Sequence, residues 1–310
     1  MTVQIRPPVL SQESSAFRAN LREKLNVESY LKERTAFCVG EKAVHCELYE
    51  YGPEAPTILF LPGIGTYCEL YAELLAELSK KGFNVVGIDP LGHGYSAGTR
   101  GDYTVEQMCE AVSDVLDVLE QRFDGPFGIY GYSIGALLAM AAAEKDDRLS
   151  AVLCGTLLVP DVAPDMGYRM GWNWTWASSL MMPGYKVPLK TFVDFEQLLK
   201  GHPVAQEINQ DPLIVFDYPL RTLSSLFNYR CDIVNREFDF SAAILHGDQD
   251  EVLPLSYSRR VMSYCDQPLE LLVMDNEGHM VPLMKPKIVV EMAAQWFTRQ
   301  FMKEMAEAVL

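Results

Sequence analysis

Three features of the sequence predict an α/β fold, with a mainly parallel sheet, helices on both of its faces and an inserted helical cap. Short apolar runs alternate with helical patterns over most of the 310 residues. One of these runs passes through a Gly-x-Ser-x-Gly pentapeptide directly into a helix-forming stretch. The alternation breaks once, for about 80 residues between Leu158 and Ser241, and then resumes. Regular strand–helix alternation is the pattern of a parallel sheet covered on both sides. A long break inside such a chain is large enough to be a lid over the strand ends.

Taken in order, residues 12–34 read as helical and charged, with Arg22-Glu23-Lys24 and Leu31-Lys32-Glu33-Arg34. This N-terminal helical extension, residues 1–36, is expected to pack on the core and carries no catalytic signal. The core is assigned to residues 37–158 and 241–310, and the cap to 159–240. Phe37 to Glu50 suits an antiparallel hairpin at one sheet edge. Strands are expected at 57–61, 84–88, 127–131, 151–158, 242–246 and 269–274, and helices at Leu70 to Lys80 and Thr104 to Gln121. Ala136-Leu137-Leu138-Ala139-Met140-Ala141-Ala142-Ala143 is made of strong helix formers.

The pentapeptide is Gly131-Tyr132-Ser133-Ile134-Gly135, preceded by the strand-like Pro126-Phe127-Gly128-Ile129-Tyr130. A sharp strand-to-helix turn strains the backbone of Ser133 and pushes its hydroxyl outward, and the flanking glycines let strand and helix pass closely. A serine hydroxyl near neutral pH needs a base to take its proton and an acid to orient that base. Of the five histidines, His279 follows the last strand-like run in Asn276-Glu277-Gly278-His279, a strand-end loop suited to a catalytic side chain. His246 reads as the close of a strand, and His93 as a member of a glycine-rich loop. His45 and His202 carry no functional signal. The acid is expected between serine and histidine in the chain, within His246-Gly247-Asp248-Gln249-Asp250. Asp250 is assigned, because an aspartate beside a glycine, here Asp248, commonly ties down its own turn. The oxyanion donors are assigned to the amides of Ile134, at the start of the new helix, and Ile64, in Leu61-Pro62-Gly63-Ile64-Gly65 after a strand.

With these residues placed, the chain resembles the α/β-hydrolase superfamily from about residue 37 to residue 300, and within it the monoacylglycerol lipase and lysophospholipase group. Asp89-Pro90-Leu91-Gly92-His93-Gly94-Tyr95-Ser96-Ala97-Gly98-Thr99-Arg100-Gly101 is similar to that group's G-H-G-x-S-x-G-x-R-G loop. The resemblance implies Ser133 as nucleophile, Asp250 as acid, His279 as base and Ile64 with Ile134 as oxyanion donors, in agreement with the reading from the residues. It also implies a lipid-like ester substrate, such as a monoacylglycerol or lysophospholipid, with no metal or organic cofactor. Many relatives open the oxyanion loop with His-Gly where this chain has Pro62-Gly63, which leaves the backbone donor in place. An aspartate nucleophile, as in superfamily members that open epoxides or displace halides, is excluded by Ser133.

Composition narrows the remaining classes. Hydrophobic residues make up 49% of the chain and charged residues 22%, which suits one large globular unit. The net charge of −16 disfavours nucleic acid and anionic surfaces as partners. Apolar runs are too short for a membrane span of roughly 20 residues. The first residues lack a secretory pattern, so a cytoplasmic protein acting on a small-molecule acyl ester is expected. The seven cysteines, Cys38, Cys46, Cys68, Cys109, Cys154, Cys231 and Cys265, have no C-x-x-C spacing and suggest neither a disulfide framework nor a zinc site. In the cap, Trp172, Trp174 and Trp176 with several methionines form an apolar set that suits either an acyl-chain tunnel or the cap's own core. A thioesterase, a C–C bond hydrolase or an acyltransferase could use the same three residues, and a non-catalytic ligand-binding protein could share the fold.

Overall fold

The computed structural model describes residues 4–6, 16–191 and 193–307. Its strands are β1 (Ile5–Arg6), β2 (Thr35–Val39), β3 (Val44–Tyr49), β4 (Thr57–Leu61), β5 (Asn84–Ile88), β6 (Phe127–Tyr132), β7 (Leu149–Gly155), β8 (Lys186–Pro188), β9 (Asp217–Pro219), β10 (Ser241–Gly247) and β11 (Leu269–Met274). Its helices are α1 (Ala16–Leu25), α2 (Glu28–Leu31), α3 (Ala72–Ser79), α4 (Val105–Leu119), α5 (Ile134–Ala143), α6 (Met166–Met181), α7 (Phe195–Leu198), α8 (Leu220–Phe227), α9 (Leu255–Tyr264), α10 (Val281–Met284) and α11 (Pro286–Glu307).

Nine of the described strands form one sheet in the order β1-β2-β3-β5-β4-β6-β7-β10-β11. The hairpin β2–β3 and its neighbour β1 are antiparallel, and β3 also runs against β5; from β5 to β11 every pairing is parallel. Successive side chains of a strand point to opposite faces, and β4 shows the result. Ile58 and Phe60 enter one core with Leu75 of α3 and Phe297 of α11, whereas Leu59 and Leu61 enter the other with Val112 of α4 and Leu137 of α5. Helix α4 begins at a capping box: the Thr104 hydroxyl accepts from the Gln107 amide at 3.3 Å and the Gln107 side chain accepts from the Thr104 amide at 3.0 Å. Helix α5 is buried on every side, which accounts for its unbroken apolar sequence.

Several element boundaries differ from the sequence expectation by one to three residues, and two of the shifts are instructive. The strand expected at 151–158 is β7, ending at Gly155, because Thr156 turns into a left-handed conformation at φ 57°. The helix expected from Leu70 starts at Ala72, after a 3-10 turn over Cys68–Tyr71. Between β7 and β10 lie α6, the antiparallel pair β8–β9, α7 and α8, with α6 packed on α8.

The N-terminal extension falls partly outside the described residues, at 1–3 and 7–15, and the rest is more than a charged appendage. Arg18 of α1 is wholly buried and reaches two carboxylates, Glu69 in the 3-10 turn and, at 2.9 Å, Asp211 in the inserted segment. Arg22 adds a two-point contact to Glu69 at 2.9 and 2.7 Å, and Arg34 bridges Glu47 at 2.9 Å and Glu69 at 3.2 Å. The Tyr95 hydroxyl donates to Glu69 at 3.1 Å and that of Tyr67 to Asp211 at 2.5 Å. Three parts of the chain are therefore tied at one guanidinium. Removing one partner of a buried ion pair leaves the other charge uncompensated. Arg18→Met should lower unfolding free energy by about 3–5 kcal/mol in chemical denaturation, and a loss under about 1 kcal/mol would show the network to be energetically idle.

Candidate active site

Ser133 sits between β6 and α5 with φ 55° and ψ −122°, a conformation that L-residues rarely adopt. The turn holds because both flanking residues lack a side chain. A Cβ on Gly131 would lie 2.1 Å from the Gly135 carbonyl oxygen, and one on Gly135 would lie 2.2 Å from that of Leu61. The Ser133 amide donates to the carbonyl of Gly155 at the end of β7, at 2.7 Å. The half-buried Ser133 side chain faces a cavity of about 740 Å³.

A line of hydrogen bonds runs from this serine. His279 Nε2 is 3.2 Å from Ser133 Oγ, and His279 Nδ1 is 2.8 Å from Asp250 Oδ2. The loops after β10 and β11 make this meeting possible. The Gln249 amide donates to the Glu277 carbonyl at 2.9 Å, and Gly247 lets that carbonyl pass where a Cβ would be 2.2 Å away. Asp250 is buried, and its second oxygen accepts from the amides of Val252 and Leu253 at 2.8 and 2.9 Å. Burial alone would raise the pKa of this carboxyl, but His279 and the Leu253 amide outweigh it and hold it below the usual value. Asp250 is thus anionic near neutral pH. Asp248 instead accepts from the Asn276 amide at 2.7 Å and shapes the loop that carries His279.

Three contacts to this line were not read from the sequence. The Thr156 hydroxyl donates to Asp250 Oδ2 at 2.9 Å, Tyr132 donates to the His279 carbonyl at 2.7 Å, and Glu251 accepts from the His279 amide at 3.1 Å. No sequence pattern marks Thr156, which follows the end of β7 and meets the loop after β10 only because those two strands pair in the sheet. Tyr132 is inside the pentapeptide but at a position where any residue fits the pattern.

Gly63 and Ile64 also line the cavity, and a Cβ on Gly63 would stand 3.4 Å from the Ser133 Cβ. The Ile134 amide opens α5, where the helix dipole favours negative charge. Among the described residues neither the Ile64 nor the Ile134 amide has a backbone hydrogen-bond partner. A serine, an imidazole, a buried carboxylate and two open amides around one cavity are the parts needed for acyl transfer.

The sheet order, the strained serine turn and the chain order Ser, Asp, His define an α/β-hydrolase. More narrowly, the chain belongs to the family described as serine aminopeptidase, S33, whose model matches residues 52–283. It is 30% identical to the mouse (Mus musculus) serine hydrolase BPHL over 112 residues, which span 36% of this chain and only 38% of that relative. It is 25% identical to an acyl transferase of Photorhabdus luminescens over 242 residues, covering 74% of this chain and 72% of the relative. In structure it is similar to the monoacylglycerol lipase of Paleococcus ferrophilus, with a TM-score of 0.68 at 18% identity, covering 83% of this chain and 99% of the other. At that identity the structural likeness speaks for the fold alone.

The remaining sequence-predicted residues divide differently. Trp172 is buried in the inserted segment, stacked on Phe227 with ring centroids 5.8 Å apart. Trp174 and Trp176 are more than half exposed, and none of the three lines the cavity beside Ser133. Tyr168 of the same helix does line it, together with Leu198 at the end of α7. Trp172 follows Tyr168 by one turn on the same face, their ring centroids 5.9 Å apart, and lies behind it against Phe227, whereas Trp174 falls on another face. His246 is buried, bonded to Ser258 at 2.7 Å and to the Leu253 carbonyl at 2.9 Å. Among the described residues no His, Cys, Asp and Glu group is placed to hold a metal, and no helix is long and apolar enough to cross a membrane.

The Asp89–Gly101 loop is a fastening rather than a reactive element. Asp89 accepts from the Cys68 and Tyr95 amides at 2.7 and 2.9 Å, and Arg100 donates to the carbonyls of Pro212 and Leu213. His93 donates from Nδ1 to the Leu91 carbonyl at 3.0 Å and accepts at Nε2 from the Tyr218 hydroxyl of β9 at 2.6 Å. Burial lowers its pKa from 6.5 to about 4. A histidine neutral in the folded state contributes stability that is full above its unfolded pKa and declines as pH falls toward its folded pKa. Between pH 6.5 and about 4 this residue should withdraw about 3 kcal/mol. The acid limb of a stability–pH curve should accordingly be shallower in His93→Gln than in the wild type. Equal limbs would mean that His93 does not govern it.

Proposed function

We propose that the protein is a serine hydrolase that cleaves carboxylic esters through an acyl-enzyme on Ser133. The observation that carries this reading is the continuous line Ser133 Oγ, His279, Asp250, with distances of 3.2 and 2.8 Å, anchored at a strained turn beside the cavity. In the first half-reaction His279 Nε2 takes the hydroxyl proton as Ser133 Oγ attacks the ester carbonyl carbon. The amides of Ile64 and Ile134 hold the resulting oxyanion, and His279 then returns the proton to the departing alcohol. Water repeats the sequence on the acyl-enzyme and releases the acid. Asp250, held anionic, keeps Nδ1 protonated and stabilises the imidazolium.

The proposed substrate is lipid-like, a monoacylglycerol, a lysophospholipid or a medium-chain ester. In support, the cavity has apolar walls in Ile64, Leu198, Val252 and Met280, with polar groups in Gln197 and Gln249 for a head group. The similar fold of a monoacylglycerol lipase is consistent with such a substrate. Acyl transfer to an alcohol is a second reading, favoured by the similarity to an acyl transferase over 74% of this chain. Both readings share the acyl-enzyme and differ in the acceptor.

Hydrolysis of p-nitrophenyl and glycerol esters of graded chain length tests the first reading, with released acid compared against new ester in the presence of added alcohol. Ser133→Ala should reduce turnover to background while retaining the wild-type unfolding midpoint; residual wild-type turnover would overturn the mechanism. Asp250→Asn should lose about 10⁴-fold in kcat and Asp248→Asn far less, and the reverse order would assign the acid to Asp248. Tyr168→Ala should shift the preferred chain length and Trp174→Ala should not, because only the first borders the cavity.

A further inference from the structure

The peptide between Gly63 and Ile64 is fixed in direction by the residues around it. The Gly63 carbonyl accepts from the Thr66 amide at 3.1 Å and from the Thr66 hydroxyl at 2.8 Å. The first bond closes a four-residue turn, Gly63 to Thr66, in which Gly65 takes the positive φ, 75°, of a type II turn. Gly65 is required there for a second reason, since a Cβ would lie 2.5 Å from the Val215 carbonyl. The Gly65 carbonyl in turn accepts from the Val215 amide at 2.9 Å, so the inserted segment holds the far side of the same turn. In a trans peptide the carbonyl and the following N–H point in opposite directions. With the Gly63 carbonyl turned to Thr66, the Ile64 N–H is turned away from Thr66, and Ile64 borders the cavity beside Ser133.

The Thr66 hydroxyl has one proton, used on the Gly63 carbonyl, so its 3.1 Å contact with Tyr71 has the Tyr71 hydroxyl as donor. A directed chain results, from Tyr71 to Thr66 to the Gly63 carbonyl, and each bond in such a chain polarises the next. Thr66 is 1% exposed and Tyr71 is equally buried, both at the wall of the cavity beside Ser133. Between them Glu69 is clamped by Arg18, Arg22 and Tyr95, which fixes the 3-10 turn that carries Tyr71.

We propose that Thr66 is a positioning residue for the reaction: its hydroxyl, supported by Tyr71, locks the Gly63–Ile64 peptide so that the Ile64 N–H meets the oxyanion. This rests on the serine-hydrolase reading given above. Complete removal of an oxyanion donor typically costs on the order of 100- to 1000-fold in rate. Loss of the Thr66 hydroxyl leaves its amide bonded to Gly63 and only loosens the donor, so a smaller effect, about 10-fold in kcat, is expected.

The experiment measures kcat and KM on p-nitrophenyl butanoate, and the affinity of an alkylboronic acid that forms a tetrahedral adduct on serine, for the wild type, Thr66→Val, Thr66→Ser and Tyr71→Phe. Support consists of about a 10-fold fall in kcat in Thr66→Val with KM within about twofold, a matching loss of boronate affinity, and recovery in Thr66→Ser. Tyr71→Phe should fall between. Wild-type kcat and boronate affinity in Thr66→Val would overturn the proposal, as would an equal defect in Thr66→Ser, which would point to the methyl group's packing. Should Thr66→Val fail to fold, Tyr71→Phe with an unchanged kcat and boronate affinity overturns it alone. Ser133→Ala run alongside separates the two levels. Turnover surviving in that variant defeats the serine reading itself, whereas a dead Ser133→Ala beside an unimpaired Thr66→Val defeats only the positioning role.

Discussion

The left-handed backbone of Ser133 is the constraint on which the rest of the site depends. A residue at φ 55° at the junction of β6 and α5 persists only where its surroundings over-determine it. Here the carbonyl of Gly155 takes its amide, and two glycines admit α5 to within contact of Leu61 and Pro62. The close approach has a consequence at both ends. It opens α5 at Ile134 beside the serine, and it sets the loop after β4 against the same spot. Nucleophile and both candidate oxyanion amides therefore come from one packing arrangement of β4, β6 and α5.

A second layer of the structure consists of charges removed from water. Arg18, Arg22 and Arg34 meet Glu47, Glu69 and Asp211 with side chains almost wholly buried. Such networks give little net stability compared with apolar packing, yet they penalise any arrangement that separates the partners. Specificity of arrangement is what this location needs. The network ties α1 to the turn just after the Gly63–Ile64 loop and to the inserted segment next to Val215, so the segment that borders the cavity and the loop that faces the serine share one anchor. His93 and Arg100 add a second anchor for the inserted segment, on the Asp89–Gly101 loop.

The inserted segment itself is unevenly packed. Helix α6 buries Trp172 and Thr175 against its neighbours, while Met166, Met170, Trp174 and Met181 stand in solvent. Its residues serve the cavity through Tyr168 rather than through the tryptophans. Aromatic content therefore says that a surface is apolar and leaves open which way it faces.

The sequence by itself determined the order of strands and helices, the serine turn, and the residue types able to sit at strand ends, because these depend on local periodicity and on glycines whose steric role is visible from neighbours in the chain. The run Phe127 to Gly135 is legible for that reason, as is the histidine after β11. Tertiary structure decided what depends on distant partners. Arg18 reads as a surface charge until Glu69 and Asp211, 51 and 193 residues away, close around it. The glycine beside Asp248 favours Asp250 as the acid from sequence, and the packing of the β10 and β11 loops is what turns Asp250 to His279 and Asp248 to Asn276. Thr66, Tyr71 and Thr156 carry no pattern at all, since a hydroxyl acquires a direction only when folding removes water and leaves a single acceptor within reach.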